Sequence, residues 1–305
     1  MEAGGAEKTT SGFRSGFVAI VGRPNVGKST LVNRMVGGKI AITSSRPQTT
    51  RGSIRGILDV PDAQVVFIDT PGYHKPRTLL GERLNEIVRA AWSDVDLVLL
   101  LVDGKGGIGA GDEKIASAIS DIGPDVFLVV NKIDRLRPEE IAVSLTKATA
   151  LRDFEEYVPV SAATGENVDH LTGIVVDRMR EGPMYYPPGT RSDQPPPAFV
   201  AELVREKLLA RTREELPHSI AVVTEDYEER DDGVLMIQAI VYVERESQKG
   251  MVIGKGGDVI KAAGTEARLE IEALFGRKVF IDLRVKVEKD WQQRAYALER
   301  LGFNV

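Results

Sequence analysis

Eight consecutive residues, Gly22-Arg23-Pro24-Asn25-Val26-Gly27-Lys28-Ser29, constrain this chain more than any other feature. They follow an apolar run, Gly16-Phe17-Val18-Ala19-Ile20-Val21, that reads as a buried strand, and precede Thr30-Leu31-Val32-Asn33-Arg34-Met35-Val36, which reads as a helix. A glycine-rich passage from strand to helix is built to wrap a phosphate. Gly22 and Gly27 let the backbone fold closely, so that N–H groups from Asn25, Val26, Gly27, Lys28, Ser29 and Thr30 and the helix N-terminus converge on it. Lys28 brings positive charge to the outer phosphates, and the Ser29 hydroxyl is placed to ligate magnesium.

Two further motifs extend the site. Asp69 ends a second apolar run, Val65-Val66-Phe67-Ile68, so its carboxylate emerges beside the phosphate loop and reaches magnesium through water. Gly72, closing Asp69-Thr70-Pro71-Gly72, brings its N–H to a terminal phosphate with no side chain in the way and lets that segment sense the phosphate. The apolar run 126–130 ends in Asn131-Lys132-Ile133-Asp134. A carboxylate such as Asp134 accepts two hydrogen bonds from the N1–H and amino group of guanine, whereas adenine has no such donor pair. Asn131 and Lys132 hold the loop and pack on the ring, and Ser161-Ala162-Ala163 aims a backbone N–H at the guanine carbonyl oxygen. Each of these stretches alone is ordinary turn text. Their order and spacing make the chain a guanine nucleotide binder.

A threonine must close over magnesium when the third phosphate is present. Within Pro47-Gln48-Thr49-Thr50-Arg51, Thr50 is chosen over Thr49. Residues 40–53 are then switch I and 70–83 switch II, ordered by the third phosphate and loosened after hydrolysis. The chemistry is phosphoryl transfer from GTP to water, leaving GDP, with Lys28, Thr50 and Gly72 acting by position and electrostatics. In Ras-like proteins the residue after this glycine is a glutamine that orients water; here it is Tyr73, which cannot play that part. Intrinsic turnover should be slow and assisted by a partner, a reoriented side chain or a monovalent cation. In a subset of related GTPases an asparagine at the place of Asn25 helps bind potassium, although such a residue also serves simply to cap loop backbone. His74 reads as polar surface rather than as a base.

With 305 residues the chain is long enough for two domains, and its 42% hydrophobic content is that of ordinary soluble globules. The absence of cysteine excludes disulfides and cysteine-ligated zinc or iron–sulfur sites, and fits a reducing cytoplasm. No signal peptide is visible. The longest apolar stretch, 95–102, contains Asp96 and is too short to span a bilayer, so any membrane contact is peripheral. Residues 1–13 read as a flexible tail and 14–182 as a nucleotide-binding α/β domain, a mainly parallel sheet with helices on both faces. Residues 183–198, ending in Pro195-Pro196-Pro197, are too proline-rich for helix or interior strand and read as an extended linker.

Residues 199–305 have the texture of a smaller α+β domain: a helix over 199–214, strand-like runs at 219–224 and 234–243, a helix over 258–274 and a strand over 278–287. Between them lies a Gly-rich turn, Gln248-Lys249-Gly250-Met251-Val252-Ile253-Gly254-Lys255-Gly256-Gly257. An apolar segment, G-x-x-G and then a helix is the signature of a type II KH module, whose tight turn admits a nucleic-acid backbone while an apolar groove takes unpaired bases. Lys249, Ile253, Gly254, Lys255, Gly256 and Gly257 are the candidate RNA contacts. The chain as a whole is acidic, formally −5, which argues against non-specific coating of nucleic acid. The acidic run 225–233 reads as an exposed hairpin loop, and Trp291 and Tyr296 read as core residues of a last helix.

Together, Gly22-Arg23-Pro24-Asn25-Val26-Gly27-Lys28-Ser29-Thr30, Pro47-Gln48-Thr49-Thr50-Arg51, Asp69-Thr70-Pro71-Gly72, Asn131-Lys132-Ile133-Asp134, Glu215-Leu216-Pro217-His218-Ser219 and Gln248-Lys249-Gly250 closely resemble the bacterial Era GTPases over nearly all of 15–303. The resemblance implies a ribosome-assembly GTPase whose KH domain binds the 3′ end of 16S ribosomal RNA in the small subunit; with it go the Mg2+ expected from Ser29, Thr50 and Asp69 and the expectation of a monomer. It also implies that GTP favours the RNA-competent arrangement, and a cytoplasmic protein with some peripheral contact at the inner membrane surface. The other class of reading is a signalling or membrane-linked GTPase whose C-terminal domain binds protein or lipid; no basic amphipathic helix supports it.

Overall fold

The computed structural model describes residues 12–303 except 45, 47, 74, 93, 121–122 and 213–215. The tail before residue 12, Pro47, His74 and Glu215 therefore lie outside the described residues.

Two units form. The first contains β1 (Arg14–Gly22), α1 (Lys28–Val36), β2 (Ile54–Val60), β3 (Ala63–Asp69), α2 (Leu79–Ala91), β4 (Leu97–Asp103), α3 (Ala110–Ala118), β5 (Asp125–Asn131), α4 (Pro138–Thr149), β6 (Glu156–Val160), α5 (Val168–Arg178) and the short β7 (Arg180–Glu181), with part of α2 belonging to the other unit. The strands order as β2-β3-β1-β4-β5-β6, all parallel except β2, with β7 added antiparallel to β1. Alternation explains why β1 and β4 read as unbroken apolar runs. Val18, Ile20, Leu97, Leu99 and Leu101 enter the core on one face, while Ala19, Val21, Val98, Leu100 and Val102 enter the core on the other. Ile20 pairs with Asp69, Asp103 with Asn131, and Asn131 with Val160, so the motif residues line up along the carboxyl ends of the strands.

Residues 183–193 are strapped to the first unit. The buried amide of Gln64 accepts from the N–H groups of Tyr185 (2.8 Å) and Tyr186 (2.9 Å) and donates to the Tyr186 carbonyl (2.9 Å). Ile57 N–H donates to the Arg191 carbonyl at 2.9 Å, which gives the edge of β2 a partner. Further on, the expectation that the proline run excludes helix does not hold for Pro196 and Pro197. They open α6, where the missing N–H groups have no intrahelical partner to lose.

The second unit comprises the chain from Gln194 together with two distant segments, Ile42–Arg51 and Lys75–Leu84. Its elements are α6 (Pro196–Arg211), α7 (Leu216–Ser219), β8 (Ala221–Glu229), β9 (Leu235–Val243), α8 (Glu246–Ile253), α9 (Asp258–Phe275), β10 (Val279–Val287) and α10 (Ala295–Arg300). A three-stranded sheet, β10-β9-β8, pairs β9 parallel to β10 and antiparallel to β8. Val200, Leu203 and Val204 of α6, Ile237 and Val241 of β9, and Ala263, Ala267 and Ile271 of α9 share one core.

Three expectations change here. The acidic run is half strand: β8 continues through Glu229 across a bulge at Thr224/Asp226, and Tyr227 packs on the core, so only the turn beyond Glu229 is loop. Trp291 is fully buried, but Tyr296 is 70% exposed, because α10 turns Ala297 and Leu298 inward instead. Most of the glycine-rich stretch is helix α8, which places Lys249 on a helix and confines the turn to Gly254–Gly257. Among the described residues no helix is long and apolar enough to cross a membrane.

Candidate functional site

The phosphate loop has the conformation its glycines require. Asn25 (φ 64°) and Gly27 (φ 103°) are both left-handed, and a Cβ on Gly27 would fall 2.3 Å from Asn131 Nδ2. Lys28 starts α1 and is 6% exposed; its ammonium donates to the carbonyls of Gly22 (3.2 Å) and Arg23 (3.1 Å). Burial pulls its pKa down to about 8, with the Asp69 carboxylate pulling the other way. The Ser29 hydroxyl donates to Asp69 Oδ2 at 2.6 Å, which brings together the two side chains that the motifs placed on magnesium.

Gly72 lies against the loop itself. A Cβ there would meet Pro24 at 2.7 Å, and the next N–H, that of Tyr73, donates to the Gly22 carbonyl at 3.3 Å. The Tyr73 ring packs 5.9 Å from the Trp92 ring, and its hydroxyl accepts from Arg89 at 3.3 Å. That fastening holds the tyrosine side chain against Arg89 of α2 and Trp92 just beyond it.

On the base side, Asn131 is a tie between loops. It is 2% exposed; Nδ2 donates to the Val26 carbonyl (2.7 Å), and Oδ1 accepts from the N–H of Lys132 (2.8 Å) and of Ala162 (2.9 Å). Lys132 Nζ bridges the Asn25 carbonyl (2.7 Å) and Asp103 Oδ2 (2.6 Å). Asp134 Oδ1 accepts from the Ser161 hydroxyl at 2.6 Å, which fixes the carboxylate at the rim, and Arg34 donates to the Ala163 carbonyl at 2.6 Å. Thus Asn25 to Thr30, Asp69, Gly72, Asn131, Lys132, Asp134 and Ser161 to Ala163 gather at one edge of the first unit's sheet.

Thr50, by contrast, belongs to a segment packed with the second unit, where it is 6% exposed.

Sequence reading missed two groups. Asp103 ends β4 as Asp69 ends β3, so the same signal, an acid closing an apolar run, was present. Burial tends to raise its pKa, but hydrogen bonds from Lys132 and the Gly106 N–H hold it below the usual carboxylate range. The second group is Arg23, inside the phosphate loop, which pairs at 2.8 Å with the fully buried Asp112 and donates to the Gly107 carbonyl. No local signal links residues so far apart.

In the second unit, the turn between α8 and α9 runs through left-handed glycines at 254, 256 and 257, with Lys255 and Gly256 exposed and Ile253 and Gly254 half-buried. Beside it, a cavity of about 280 Å³ is lined by Ile260, Lys261, Gly264 and Arg268 of α9 and by Ile281 and Leu283 of β10. Gly264 permits this opening: a Cβ there would lie 3.1 Å from the Leu283 side chain. Lys261, absent from the sequence-based contacts, reaches back to the Gly256 carbonyl at 3.4 Å.

Comparison with known proteins agrees with this geometry. A family model described as "50S ribosome-binding GTPase" matches residues 17–132, and one described as "KH domain" matches residues 215–292. A GTPase Era of Mycobacterium sp. (strain JLS) is 50% identical over 298 residues, covering 96% of this chain and 100% of the relative. A GTPase Era of Heliobacterium modesticaldum is 46% identical over 292 residues, covering 96% and 98%. Two solved structures share a TM-score of 0.93 and 36% identity with this chain, covering 96% of it and 100% of each. One is a variant of Aquifex aeolicus Era bound to GDP·AlF4−, and the other is Era in complex with MgGDPNP and nucleotides 1506–1542 of 16S ribosomal RNA. With a phosphate loop, a guanine corner and a KH turn matched along nearly its whole length, this chain belongs to the Era family of GTPases.

Proposed function

We propose that the chain is a cytoplasmic GTP-hydrolysing switch that binds the 3′ end of 16S ribosomal RNA and acts in assembly of the small ribosomal subunit. One observation carries the reading: a phosphate loop with the Asp134 carboxylate at its rim and a G-x-x-G groove occur on one chain whose relative, at 36% identity and a TM-score of 0.93, was solved with MgGDPNP and 16S nucleotides.

In this reading the N–H groups of residues 25–30 cradle the phosphates, Lys28 supplies charge to the outer ones, and Gly72 donates to the terminal phosphate. Asp134 selects guanine, with Asn131, Lys132, Ser161, Ala162 and Ala163 shaping its surroundings. The hard oxygen donors of Ser29 and Asp69, 2.6 Å apart, suit magnesium. Ser29 and Thr50 would hold it directly and Asp69 through water. Bound there, magnesium neutralises charge that develops between the second and third phosphates. Tyr73, fastened to Trp92 and Arg89, leaves the attacking water without a side-chain guide, so unassisted turnover is slow.

For RNA, the backbone of Gly254–Gly257 meets the sugar-phosphate chain, Lys249 and Lys255 contribute charge, and Ile253 and the adjoining groove receive unpaired bases. GTP orders the switch segments and so favours the RNA-competent arrangement. Potassium at Asn25 rests on the asparagine that a subset of related GTPases carries at this place, and peripheral contact with the inner membrane surface rests on the family resemblance; a monomeric state completes the reading. The test is binding of a labelled single-stranded RNA matching the 3′ end of 16S ribosomal RNA, with GTP analogue, GDP or no nucleotide, at fixed salt. Selective binding that tightens with the GTP analogue is expected; no selective binding in any state, with GTP binding intact, overturns the RNA reading in favour of a protein or lipid partner.

A further inference from the structure

The segment that carries Thr50 is built into the second unit at five positions. Ile42 lies in that unit's hydrophobic core. Thr43 N–H donates to Glu206 Oε1 at 2.8 Å, and Arg46 Nη2 donates to the Thr212 carbonyl at 3.0 Å. Arg205 of α6, itself buried, donates to the Thr49 carbonyl.

The fifth attachment is the most elaborate. Arg51, 4% exposed, donates from Nη1 to the Ile220 carbonyl at 2.5 Å and from Nη2 to the carbonyls of Pro217 (3.3 Å) and His218 (2.8 Å). Its guanidinium lies 5.6 Å from the centre of the Trp291 ring, and the indole N–H donates to the Ser219 carbonyl at 3.0 Å. These carbonyls belong to α7 and the residue after it. The last carbonyls of a helix have no intrahelical donor, and buried ones must find a partner elsewhere. A guanidinium spreads its donors over separate nitrogens in one plane, so it reaches carbonyls lying further apart than the single nitrogen of an ammonium can. Arg51 is therefore the C-terminal cap of a helix nearly 170 residues away in sequence.

Thr50 stands between two of these attachments, the bonded Thr49 carbonyl on one side and the clasped Arg51 on the other. Adjacent Cα atoms are about 3.8 Å apart, so a displacement of Thr50 is passed directly to both neighbours. We propose that Arg51 is the positioning residue that makes switch I a moving part of the RNA-binding unit, so that the pull of a third phosphate on Thr50 is delivered to the 217–220 backbone. This rests on the reading of Thr50 as the phosphate-sensing threonine.

The test measures the affinities of a fluorescent GTP analogue and of GDP, each with and without the 3′-end 16S RNA, for the unaltered chain, Arg51→Ala and Arg51→Lys. The ratio of the two nucleotide affinities should shift about tenfold on adding RNA to the unaltered chain. In Arg51→Ala the shift should collapse to within about twofold while GDP affinity holds, and Arg51→Lys should fall between. An undiminished shift in Arg51→Ala overturns the inference and leaves the proposed function standing. No shift in the unaltered chain instead overturns GTP-coupled RNA binding and the inference with it. Should Arg51→Ala fail to fold, hydrogen exchange on the unaltered, nucleotide-free chain decides. Amides of Ile42, Thr43, Thr49, Thr50 and Arg51 should exchange as slowly as those of 218–221, and exchange at the pace of an unstructured peptide overturns the inference.

Discussion

Asn131→Ala probes how the nucleotide pocket is held open. The side chain makes three hydrogen bonds, and two of the groups it satisfies, the Val26 carbonyl and the Ala162 N–H, belong to residues only 2% exposed. Leaving one buried polar group unpaired costs about 1–3 kcal/mol. The two buried groups together therefore set a cost of roughly 2–6 kcal/mol, which entering water reduces to about 2–4. The free variant escapes that cost by letting the 25–27 and 161–163 loops separate and hydrate, and binding must then close them again. The loss thus appears mainly in affinity: roughly 30-fold to 700-fold weaker GDP binding at about 1.4 kcal/mol per decade, with a thermal midpoint close to that of the unaltered chain. Asn131→Asp isolates one bond. It keeps both N–H acceptors and sets an anionic oxygen against the Val26 carbonyl, so it should bind GDP at least as poorly as the alanine variant. Equilibrium titration with fluorescent GDP at fixed magnesium and salt measures both. A change below about threefold in a folded Asn131→Ala chain would falsify the tie between the loops.

Further outcomes follow from the same geometry. With Lys28 held near 8 in the free protein and its charged form favoured by phosphates, nucleotide binding above pH 8 takes up as much as one proton. GDP affinity should fall by up to about tenfold from pH 8 to pH 9 and change little below pH 7, and calorimetry in two buffers of different ionisation heat should register the proton; a flat profile with no uptake refutes this. The sign for stability is opposite: between about 8 and 10.5 the folded, nucleotide-free chain binds fewer protons at Lys28 than the unfolded chain, so this group's contribution rises with pH. Gly256→Asp puts a carboxylate on an exposed, left-handed position (φ 65°), and should weaken RNA binding more than about tenfold while hydrolysis stays within about twofold; lost hydrolysis in a folded variant contradicts two separable modules. If Asn25 helps hold potassium, replacing potassium by sodium slows hydrolysis and Asn25→Ala removes the difference; equal rates in both salts dismiss that role.

Much of the nucleotide site was legible because its signals are local. A strand, a glycine-rich turn and a helix start lie within a few residues of one another around Lys28, and Asp69 and Asn131 each close an apolar strand that the eye can follow. Parallel pairing then aligns those strand ends without further instruction, as the Ile20–Asp69 and Asp103–Asn131 pairs illustrate. The KH turn was legible for the same reason. Tyr296 was not, because apolar spacing on a six-residue helix does not say which face meets the core. Nor was the strap at 183–193, since proline content reports that a segment is extended and nothing about the Gln64 amide that receives it.

By itself the amino-acid sequence determined the kind of molecule: which residues can cradle phosphate, which carboxylate can choose guanine, where a nucleic-acid backbone can approach a glycine turn. These depend on residue type and short-range backbone geometry, which spacing along the chain encodes directly. Only the tertiary structure decided what each of those residues leans on. Lys132 rests on Asp103, Arg23 on Asp112, and Arg51 on the carbonyl end of a helix in the RNA-binding unit. Such partners are selected by burial, because a charge withdrawn from water takes whatever acceptor the packing brings within hydrogen-bond reach.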